Sequence, residues 1–342
     1  MLENPAHSAP LDDEDHIRGC CDITVSIVNY RTGALTIAAA RSVLETCDHL
    51  DVHVVIVDNR SDDGSAEEIS AWIDSLPNPA RVTLIRSETN SGFSGGHNQG
   101  MAARPATAYL LLNSDALLRP GALQTLYAVL EADPRIGIVA PRLEYDDGKP
   151  QVSAFRFPSP QSELIRGANT GPITTLLKRW DLRLGIEPDP AAIGWVSSAC
   201  VLLRGKMTAA LGSMDEGFFL YSEDVEYCWR AQQAHWRVVY EPKARVVHFR
   251  GGSGPTKALD AARGRLPAYV YASRTRLFHL LYGYWGLLAA NPLWTLGCSV
   301  LALRRMVGRP QARPATREAR DIWIKFLDPL GDSHRPADAE AR

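Results

Sequence analysis

The chain has 342 residues, of which 45% are apolar and 22% charged, and it contains 26 Gly and 22 Pro. This composition excludes a disordered, collagen-like or coiled-coil chain and is typical of one large α/β unit or two modest ones. The formal net charge of −2 gives no indication of nucleic-acid binding.

Charge is unevenly distributed along the chain. Residues 1–16 hold five acids and no Lys or Arg, whereas residues 241–309 hold eleven Lys or Arg and two acids. A basic segment beside apolar and aromatic runs favours an anionic partner, such as a diphosphate or a lipid head-group surface. A solvated basic face without a partner would have the same composition.

The six cysteines show no CxxC pair and no Cys/His spacing suited to zinc. Adjacent Cys20 and Cys21 are poorly placed for a disulfide, so we expect reduced thiols in a cytosolic protein. Residues 1–21 are acidic and lack the apolar stretch of a secretory signal, so we expect a disordered leader and a cytoplasmic location.

From residue 22 onward, short β-branched runs alternate with helical stretches. Strands are predicted at 23–28, 52–57, 82–85, 109–112 and 136–139, and helices at 33–46, 65–75, 95–103 and 121–132. The alternation predicts an α/β fold with a mostly parallel, Rossmann-like sheet, right-handed crossovers and flanking helices. Residues 22–145 are expected to form the first half of this domain.

The regular alternation fades after residue 145. Residues 150–190 indicate a loop region with one helix near 174–180, followed by a strand at 195–203, a helix at 223–233 and a strand at 236–240. We expect residues 146–260 to complete the same domain.

A long apolar segment follows. Residues 277–303 contain no Lys, Arg, Asp or Glu and would span a bilayer as one continuous helix. We expect Asn291 and Pro292 to interrupt it, so that a helical segment at 261–310 lies at the membrane interface, before a polar tail at 311–342. A buried helical hairpin packed on the rest of the chain, or a true spanning helix, would be the alternatives.

Polar residues stand where the first two predicted strands end, which is where open parallel sheets bind ligands. Asn29 and Tyr30 follow Val28, and Asp58 and Asn59 end the second strand. A carboxylate there can accept hydrogen bonds from a nucleobase or from ribose hydroxyls. A turn and a helix cap would use the same residue types.

A glycine-rich loop, N-S-G-F-S-G-G-H-N-Q-G, occupies residues 90–100. Glycines let a backbone approach a ligand closely, and a helix that begins there presents free N–H groups to an anion. The sequence is neither the dinucleotide fingerprint nor a P-loop, which disfavours a nicotinamide oxidoreductase. A purely structural loop stays open.

Two further segments could hold a metal ion. Asn113, Ser114 and Asp115 follow a buried apolar run, and a carboxylate there suits Mg²⁺ or Mn²⁺ with phosphate oxygens and water as further ligands. His248, before a Gly-Gly-Ser turn, could complete such a site or contact a phosphate. A turn aspartate and a structural histidine are the plainer interpretations.

Adjacent carboxylates, Glu223 and Asp224, begin a predicted helix. Neighbours on a helix point about 100° apart, so one carboxylate can enter a cleft while the other caps or orients. An ionised carboxylate that faces a hydroxyl is a candidate general base. An acidic first turn that stabilises the helix is the alternative.

In this order and spacing, the five motifs resemble the family 2 glycosyltransferases of the GT-A fold, particularly the rhamnosyltransferase-like branch, over about residues 23–276. The resemblance implies that the nucleotide-binding residues are Val28, Asn29, Tyr30, Asp58, Asn59, Asn90, Gly92, Phe93, Gly96, Asn98, Asn113 and Ser114. It implies a catalytic role for Asp224 as the base, with Glu223 beside it. Sugar contacts are implied for Trp195, Glu226 and Arg230.

The resemblance also implies that Asp115 and His248 bind Mg²⁺ or Mn²⁺. Asn113 replaces the first Asp of the family's D-x-D motif, so the site has one negative charge fewer and is expected to bind metal more weakly. The implied activity is inverting, metal-dependent transfer of a sugar from a nucleotide-sugar donor, dTDP-L-rhamnose, to a lipid-linked or cell-surface glycan.

Other functions compete with this expectation. A UDP-sugar-dependent galactofuranosyl or hexosyl transferase would share the chemistry, and a catalytically silent nucleotide-binding scaffold would share the fold. We expect peripheral contact with the inner face of the plasma membrane and no nucleic-acid partner. The sequence does not indicate an oligomeric state.

Overall fold

A mixed sheet of eight strands forms the centre of the molecule in the computed structural model, which describes residues 21–249, 259, 261–307 and 314–336. In spatial order its strands are β3 (Val82–Arg86), β2 (Val52–Asp58), β1 (Cys21–Asn29), β4 (Ala106–Asn113), β9 (Cys200–Arg204), β6 (Ile136–Glu144), β10 (Arg237–His248) and β5 (Ala116–Leu118). A smaller sheet pairs β7 (Ala154–Phe155) with β8 (Trp195–Val196). The acidic leader lies outside the described residues except for Cys21.

Helices flank the central sheet and bury its apolar side chains, among them the fully buried Ile27, Ile56, Leu110 and Leu112. The helices in the described part are α1 (Gly33–Thr46), α2 (Ser65–Asp74), α3 (Gly92–Ala103), α4 (Ala122–Ala132), α5 (Pro160–Ala168), α6 (Gly171–Leu176), α7 (Gly205–Leu211), α8 (Glu223–Gln233), α9 (Ala268–Met306) and α10 (Glu318–Asp321). The predicted α/β fold is confirmed.

Strand direction brings the site together. β1 runs parallel to β2 and β4, and β6 runs parallel to β10, whereas β9 runs antiparallel between β4 and β6. The reversed β9 therefore begins where β4 ends, and the Asn113 N–H donates to the Ala199 carbonyl at 2.9 Å. The single strand predicted at 195–203 is instead β8 and β9, because residues 197–199 leave one sheet before the chain enters the other.

One helix arises where a loop was predicted. α5 begins with the Ser159 side chain, which accepts from the Ser162 N–H, while the Ser162 hydroxyl accepts from the Ser159 N–H. Pro160 occupies the first turn, where a missing N–H costs nothing. These start signals are present in the sequence. The helix of nine residues was not predicted because the Pro and Gly residues around it are typical of a loop.

The apolar C-terminal segment folds into a helical hairpin. By length and composition α9 could cross a membrane. However, Gly283 breaks it with φ 63° and ψ −167°, a conformation that side-chain-bearing residues rarely adopt. The two halves then pack together, as the hydrogen bond of 2.9 Å from Arg274 to the Asn291 side chain requires.

The interruption predicted at Asn291–Pro292 is therefore wrong, because the helix continues through Pro292 and bends at Gly283 instead. Asn291 is fully buried and also donates to the Ile322 carbonyl. Its polar side chain holds the hairpin and the C-terminal residues together rather than ending a helix.

Ion pairs fix the hairpin on α5. Glu163 pairs with Arg166 at 2.7 Å and with Arg274 at 2.8 Å, and Arg166 also pairs with Glu318. Small residues allow close packing, since a Cβ on Gly167 would lie 2.3 Å from the Trp294 carbonyl oxygen. Of the polar tail predicted at 311–342, the described residues 314–336 thus pack partly against the hairpin.

Candidate active site

A cavity of about 610 Å³ opens at the carboxyl ends of β1, β2 and β4. Its wall contains many of the residues that the sequence singled out, which are Val28, Tyr30, Asn59, Asn90, Gly92, Phe93, Asn113, Ser114, Asp115, Glu223, Asp224 and His248. Segments separated by more than two hundred residues therefore meet at one place.

One end of the cavity is built by an amide network. The Asn59 side chain donates to Asn90 Oδ1 at 3.0 Å and to the Gly92 carbonyl at 2.8 Å, and it accepts from the Ser91 N–H. Gly92 has φ 74°, and a Cβ there would lie 2.0 Å from the Phe219 carbonyl oxygen. Glycine is thus required because the loop at 215–222 lies directly against it.

Two predicted nucleotide-binding residues lie behind the wall rather than in it. The Asn29 side-chain amide donates to Asp58 Oδ1 at 2.7 Å, and its Oδ1 accepts from the Thr32 and Thr36 hydroxyls. The Ser61 hydroxyl donates to the same Asp58 oxygen at 2.5 Å. These buried bonds fix the ends of β1 and β2, and a nucleotide contact by either residue stays a prediction.

Gly96 and Asn98 are also absent from the cavity wall. Gly96 packs on the Val28 side chain, where an added Cβ would lie 2.8 Å from a methyl carbon. The Asn98 side-chain amide donates to the Met214 carbonyl and accepts from the Met214 N–H. These two bonds attach α3 to the loop before α8.

The three residues predicted to contact sugars also lie outside the wall. The Trp195 indole donates to the Arg156 carbonyl and stacks on Phe155. Arg230 pairs with Glu226 at 2.9 Å and donates to the Leu211 carbonyl. These contacts stabilise the local fold, and a sugar contact by any of the three stays a prediction.

Asp115 and His248 lie side by side because β5 and β10 pair with His248 opposite Ala116. His248 Nε2 is 3.4 Å from Asp115 Oδ1, and both side chains are buried in the cavity wall. A carboxylate oxygen and an imidazole nitrogen at this separation fit a shared Mn²⁺ or Mg²⁺ ion. No cluster of three or more His, Cys, Asp or Glu suited to a metal occurs within the described residues, so a bound ion would need ligands from a substrate and water.

Glu223 and Asp224 occupy different environments although they are adjacent. Asp224 is half-buried and accepts from the backbone N–H groups of Val225 and Ser198. Glu223 is buried, and its Oε2 has no hydrogen-bond partner. Burial raises the pKa of both carboxyls, and the charge of Asp224 raises the pKa of Glu223 further. Protonated Glu223 beside ionised Asp224 is therefore the favoured state of the pair.

The turn before these carboxylates is strained. Tyr221 and Ser222 both have positive φ, 71° and 74°, although neither is glycine. Such conformations cost free energy and persist where the surrounding structure enforces them, often at functional sites. Here the turn directs the first residues of α8 into the cavity.

Several residues of the cavity wall were missed by the sequence analysis. His97 is fully buried, its Nδ1 lies 2.9 Å from the Ser26 hydroxyl, and burial lowers its pKa to about 3. Its position within the glycine-rich loop was an available signal. Pro267, Tyr269 and Pro336 gave no local signal, since only the C-terminal fold brings them to the cavity.

Comparison with known proteins identifies the domain. Residues 24–188 match the model of the family described as Glycosyl transferase family 2. The chain is 29% identical, over 298 residues, to an N-acetylglucosaminyl-diphospho-decaprenol L-rhamnosyltransferase of Mycobacterium tuberculosis, covering 81% of this chain and 89% of that protein. It is 27% identical to a pre-mycofactocin glycosyltransferase of the same organism, over 71% of this chain and 45% of that protein.

Solved structures share the fold. A mannosyltransferase from Pyrobaculum calidifontis in complex with GDP-Man and Mn²⁺ superposes with a TM-score of 0.55 at 15% identity, over 85% of this chain and 77% of that one. GalNAc-T7 with UDP, GalNAc and Mn²⁺ gives a TM-score of 0.58 at 15% identity, over 91% of this chain and 59% of that one.

The sheet and these solved structures show a GT-A fold, and the family match and the sequence relatives show that the chain is a glycosyltransferase. Within that class, residues 24–188 form a Glycosyl transferase family 2 domain, and an L-rhamnosyltransferase is among the relatives of the chain.

Proposed function

We propose that this enzyme transfers L-rhamnose from dTDP-rhamnose, with inversion, to a hydroxyl of a lipid-linked glycan. The observation that carries the proposal is that Asp224 shares one cavity with the Asp115–His248 pair and with the Asn59–Asn90 network. One donor molecule could therefore occupy the proposed nucleotide and diphosphate sites with its sugar beside the proposed base.

The donor is expected to bind with its nucleotide at the amide network and its diphosphate beside Asp115 and His248. A divalent cation held by these two residues would neutralise charge on the diphosphate. Asp115 and His248 would then fix the position of that end of the donor.

Asp224 would accept the proton of the acceptor hydroxyl. The hydroxyl oxygen forms the new bond to the anomeric carbon as the bond from that carbon to the diphosphate breaks. Attack from the face opposite the leaving group inverts the configuration and needs no covalent enzyme intermediate. Neutral Glu223 would keep a second negative charge away from the base.

The choice of rhamnose rests on the L-rhamnosyltransferase relative, and the lipid-linked acceptor rests on the diphospho-decaprenol in its name. A UDP-sugar-dependent galactofuranosyl or hexosyl transferase is the second candidate. Calorimetric titration of dTDP against UDP, each with Mn²⁺, separates the two donors.

Membrane contact is proposed through the outer face of the hairpin. Its exposed apolar residues recur on one side of the second half of α9 and are Trp285, Leu288, Leu296, Leu303 and Met306. Arg304 and Arg305 follow at the end of that half, where they complement anionic lipid head groups. A surface with both features fits the cytoplasmic leaflet of the plasma membrane, where a lipid-linked acceptor would lie.

Asp224→Asn tests the proposed mechanism. The amide cannot accept the hydroxyl proton, so we expect the rate of rhamnose transfer to fall by ~10²- to 10⁴-fold while dTDP-rhamnose still binds. Product formation and calorimetric donor binding are measured on the same preparation, with Asp63→Asn, which is outside the cavity, as the matched control.

An unchanged transfer rate in Asp224→Asn would remove this residue from the role of base. Donor binding by the wild-type enzyme without transfer, over a panel of donors and acceptors, would instead support a catalytically silent scaffold.

A further inference from the structure

One wall of the cavity contains none of the residues assigned above to the nucleotide, the metal pair or the base. It consists of Phe219, Leu220 and Tyr221 from the loop before α8, Pro267 and Tyr269 from the start of the hairpin, and Pro336 from the C-terminal residues. These side chains include three aromatic rings and no charged group. A nucleoside diphosphate, which carries negative charge, finds no complement on this wall.

The three rings form one cluster. The Tyr269 ring meets Phe219 edge to face, with centroids 5.4 Å apart, and lies within 24° of parallel to the Tyr221 ring at 6.4 Å. Tyr269 is buried, whereas Tyr221 is 39% exposed. The cluster therefore extends from the interior of the cavity to its mouth.

The proposed nucleotide end and the aromatic cluster differ in exposure. The proposed nucleotide end is deep, since Asn59 and Asn90 are 2% and 5% exposed. The aromatic cluster reaches solvent, and Tyr221 precedes Asp224 by three residues. Because the rings and Asp224 line the same cavity, a second substrate bound at the rings would lie near the base.

Aromatic rings offer a flat apolar surface, and Tyr adds a polar hydroxyl at its edge. The C–H face of a pyranose ring matches the flat surface, while its hydroxyls stay free for hydrogen bonds and for reaction. We propose that Phe219, Tyr221 and Tyr269 form the acceptor-sugar subsite, stacking on the sugar whose hydroxyl Asp224 deprotonates. This inference rests on the proposed function, since it names the site of that reaction's second substrate.

The same residues also have structural contacts, which the test must separate from acceptor binding. The Ser273 hydroxyl donates to the Leu220 carbonyl at 3.0 Å, and the Phe93 N–H donates to the Phe219 carbonyl at 3.0 Å. Disturbing this packing would alter kcat or donor affinity. Loss of stacking alone raises the KM for the acceptor and leaves the KM for the donor unchanged.

The experiment uses the full chain with dTDP-rhamnose and an N-acetylglucosaminyl diphosphate that carries a short prenyl chain, so that no membrane is needed. Tyr221→Leu and Tyr269→Leu keep an apolar side chain but remove the ring, and Tyr221→Phe and Tyr269→Phe keep the ring. Tyr284→Leu is the matched control, because Tyr284 lies on the same hairpin but does not line the cavity.

We expect each Leu variant to raise the acceptor KM roughly tenfold, with the donor KM near the wild-type value. The exposed Tyr221→Leu should also keep the wild-type melting temperature. The Phe variants and Tyr284→Leu should stay within about twofold. Since Tyr221 is exposed, its variant reports on stacking even if Tyr269→Leu is unstable.

An unchanged acceptor KM in Tyr221→Leu, in an enzyme that still transfers rhamnose, overturns the subsite and leaves the proposed function intact. A change in donor KM equal to the change in acceptor KM also overturns it, because that pattern belongs to a structural role. Absence of transfer by the wild-type enzyme with every donor and acceptor contradicts the proposed function itself.

Discussion

Two adjacent carboxylates differ in chemistry because their surroundings differ. Both carboxyls accept backbone N–H groups, and those from Val225 and Ser198 stabilise ionised Asp224. Glu223 is more deeply buried, its Oε2 has no partner, and its carboxyl also feels the charge of Asp224. The first proton leaves Asp224, and Glu223 holds its proton to higher pH. Adjacency in the sequence places the two carboxyls together, and their different burial makes Asp224 the ionised group and Glu223 the neutral one.

The pH dependence of transfer follows from the raised pKa of Asp224. A base must be ionised to act, so kcat should fall as the pH falls through this raised pKa, above the ordinary range of an aspartate. The acidic limb should persist in Glu223→Gln, because Glu223 is already neutral there, and should vanish from the residual activity of Asp224→Asn. A kcat profile from pH 4 to pH 9 checks both; a limb lost in Glu223→Gln but kept in Asp224→Asn would reverse the assignment.

At the scale of elements, the first half of the hairpin braces the loop that carries the candidate base. Arg276 makes a two-fold ion pair with Asp215, with nitrogen–oxygen distances of 2.7 and 2.9 Å. Leu277 packs against Phe218 and Val225. The strained turn at Tyr221 and Ser222 is therefore held by residues that follow it in the chain, and both the turn and these residues lie beyond the family 2 match.

Arg276→Met should weaken this brace. Removing a bidentate, mostly buried partner of Asp215 should lower the free energy of unfolding by about 2 kcal/mol and reduce kcat, because the turn before α8 loses its support. Arg86→Met is the control, since its ion pair with Glu67 is solvent-exposed and worth less than about 1 kcal/mol. Denaturant titration and steady-state kinetics measure both variants. Equal effects of the two substitutions would contradict a supporting role of the Arg276–Asp215 ion pair.

At the scale of the whole molecule, the hairpin joins two surfaces. Its first half contributes Tyr269 to the cavity, and its second half exposes apolar side chains, including Trp285 at 82% exposure. The kink at Gly283 connects them. A membrane bound to the second half of the hairpin would therefore lie in a fixed position relative to the acceptor side of the cavity.

Trp285→Glu combined with Leu288→Glu should reduce binding to phosphatidylglycerol vesicles by roughly tenfold or more, because two apolar side chains no longer enter the head-group region. Ile186→Glu, a partly exposed apolar residue outside the hairpin, should bind like the wild type. Vesicle cosedimentation measures this. Equal binding by the double variant and the wild type would exclude the hairpin face as the contact.

Local patterns in the sequence were sufficient for the elements that form the first half of the sheet. β1, β2 and β4 are continuous apolar runs, and the acids and amides that follow them lie at one edge because parallel strands end together. Twelve predicted site residues line the cavity, and those after β1, β2 and β4 do so because these parallel strands end at the same edge of the sheet. Asp115 and His248 were predicted as a pair from the resemblance to the family, and the β5–β10 pairing makes them neighbours.

The sequence by itself thus determined the α/β core, the family and the chemical types available to the site, because strand periodicity and motif order are local properties. Only the tertiary structure decided which of those side chains face the cavity, as Asn29 and Asp58 instead hold each other behind it. It also decided that the C-terminal apolar segment turns at Gly283 and supplies Tyr269 to the cavity. Such long-range packing has no signature in a short window of sequence, since its partners are brought together only when the whole chain buries its apolar surface.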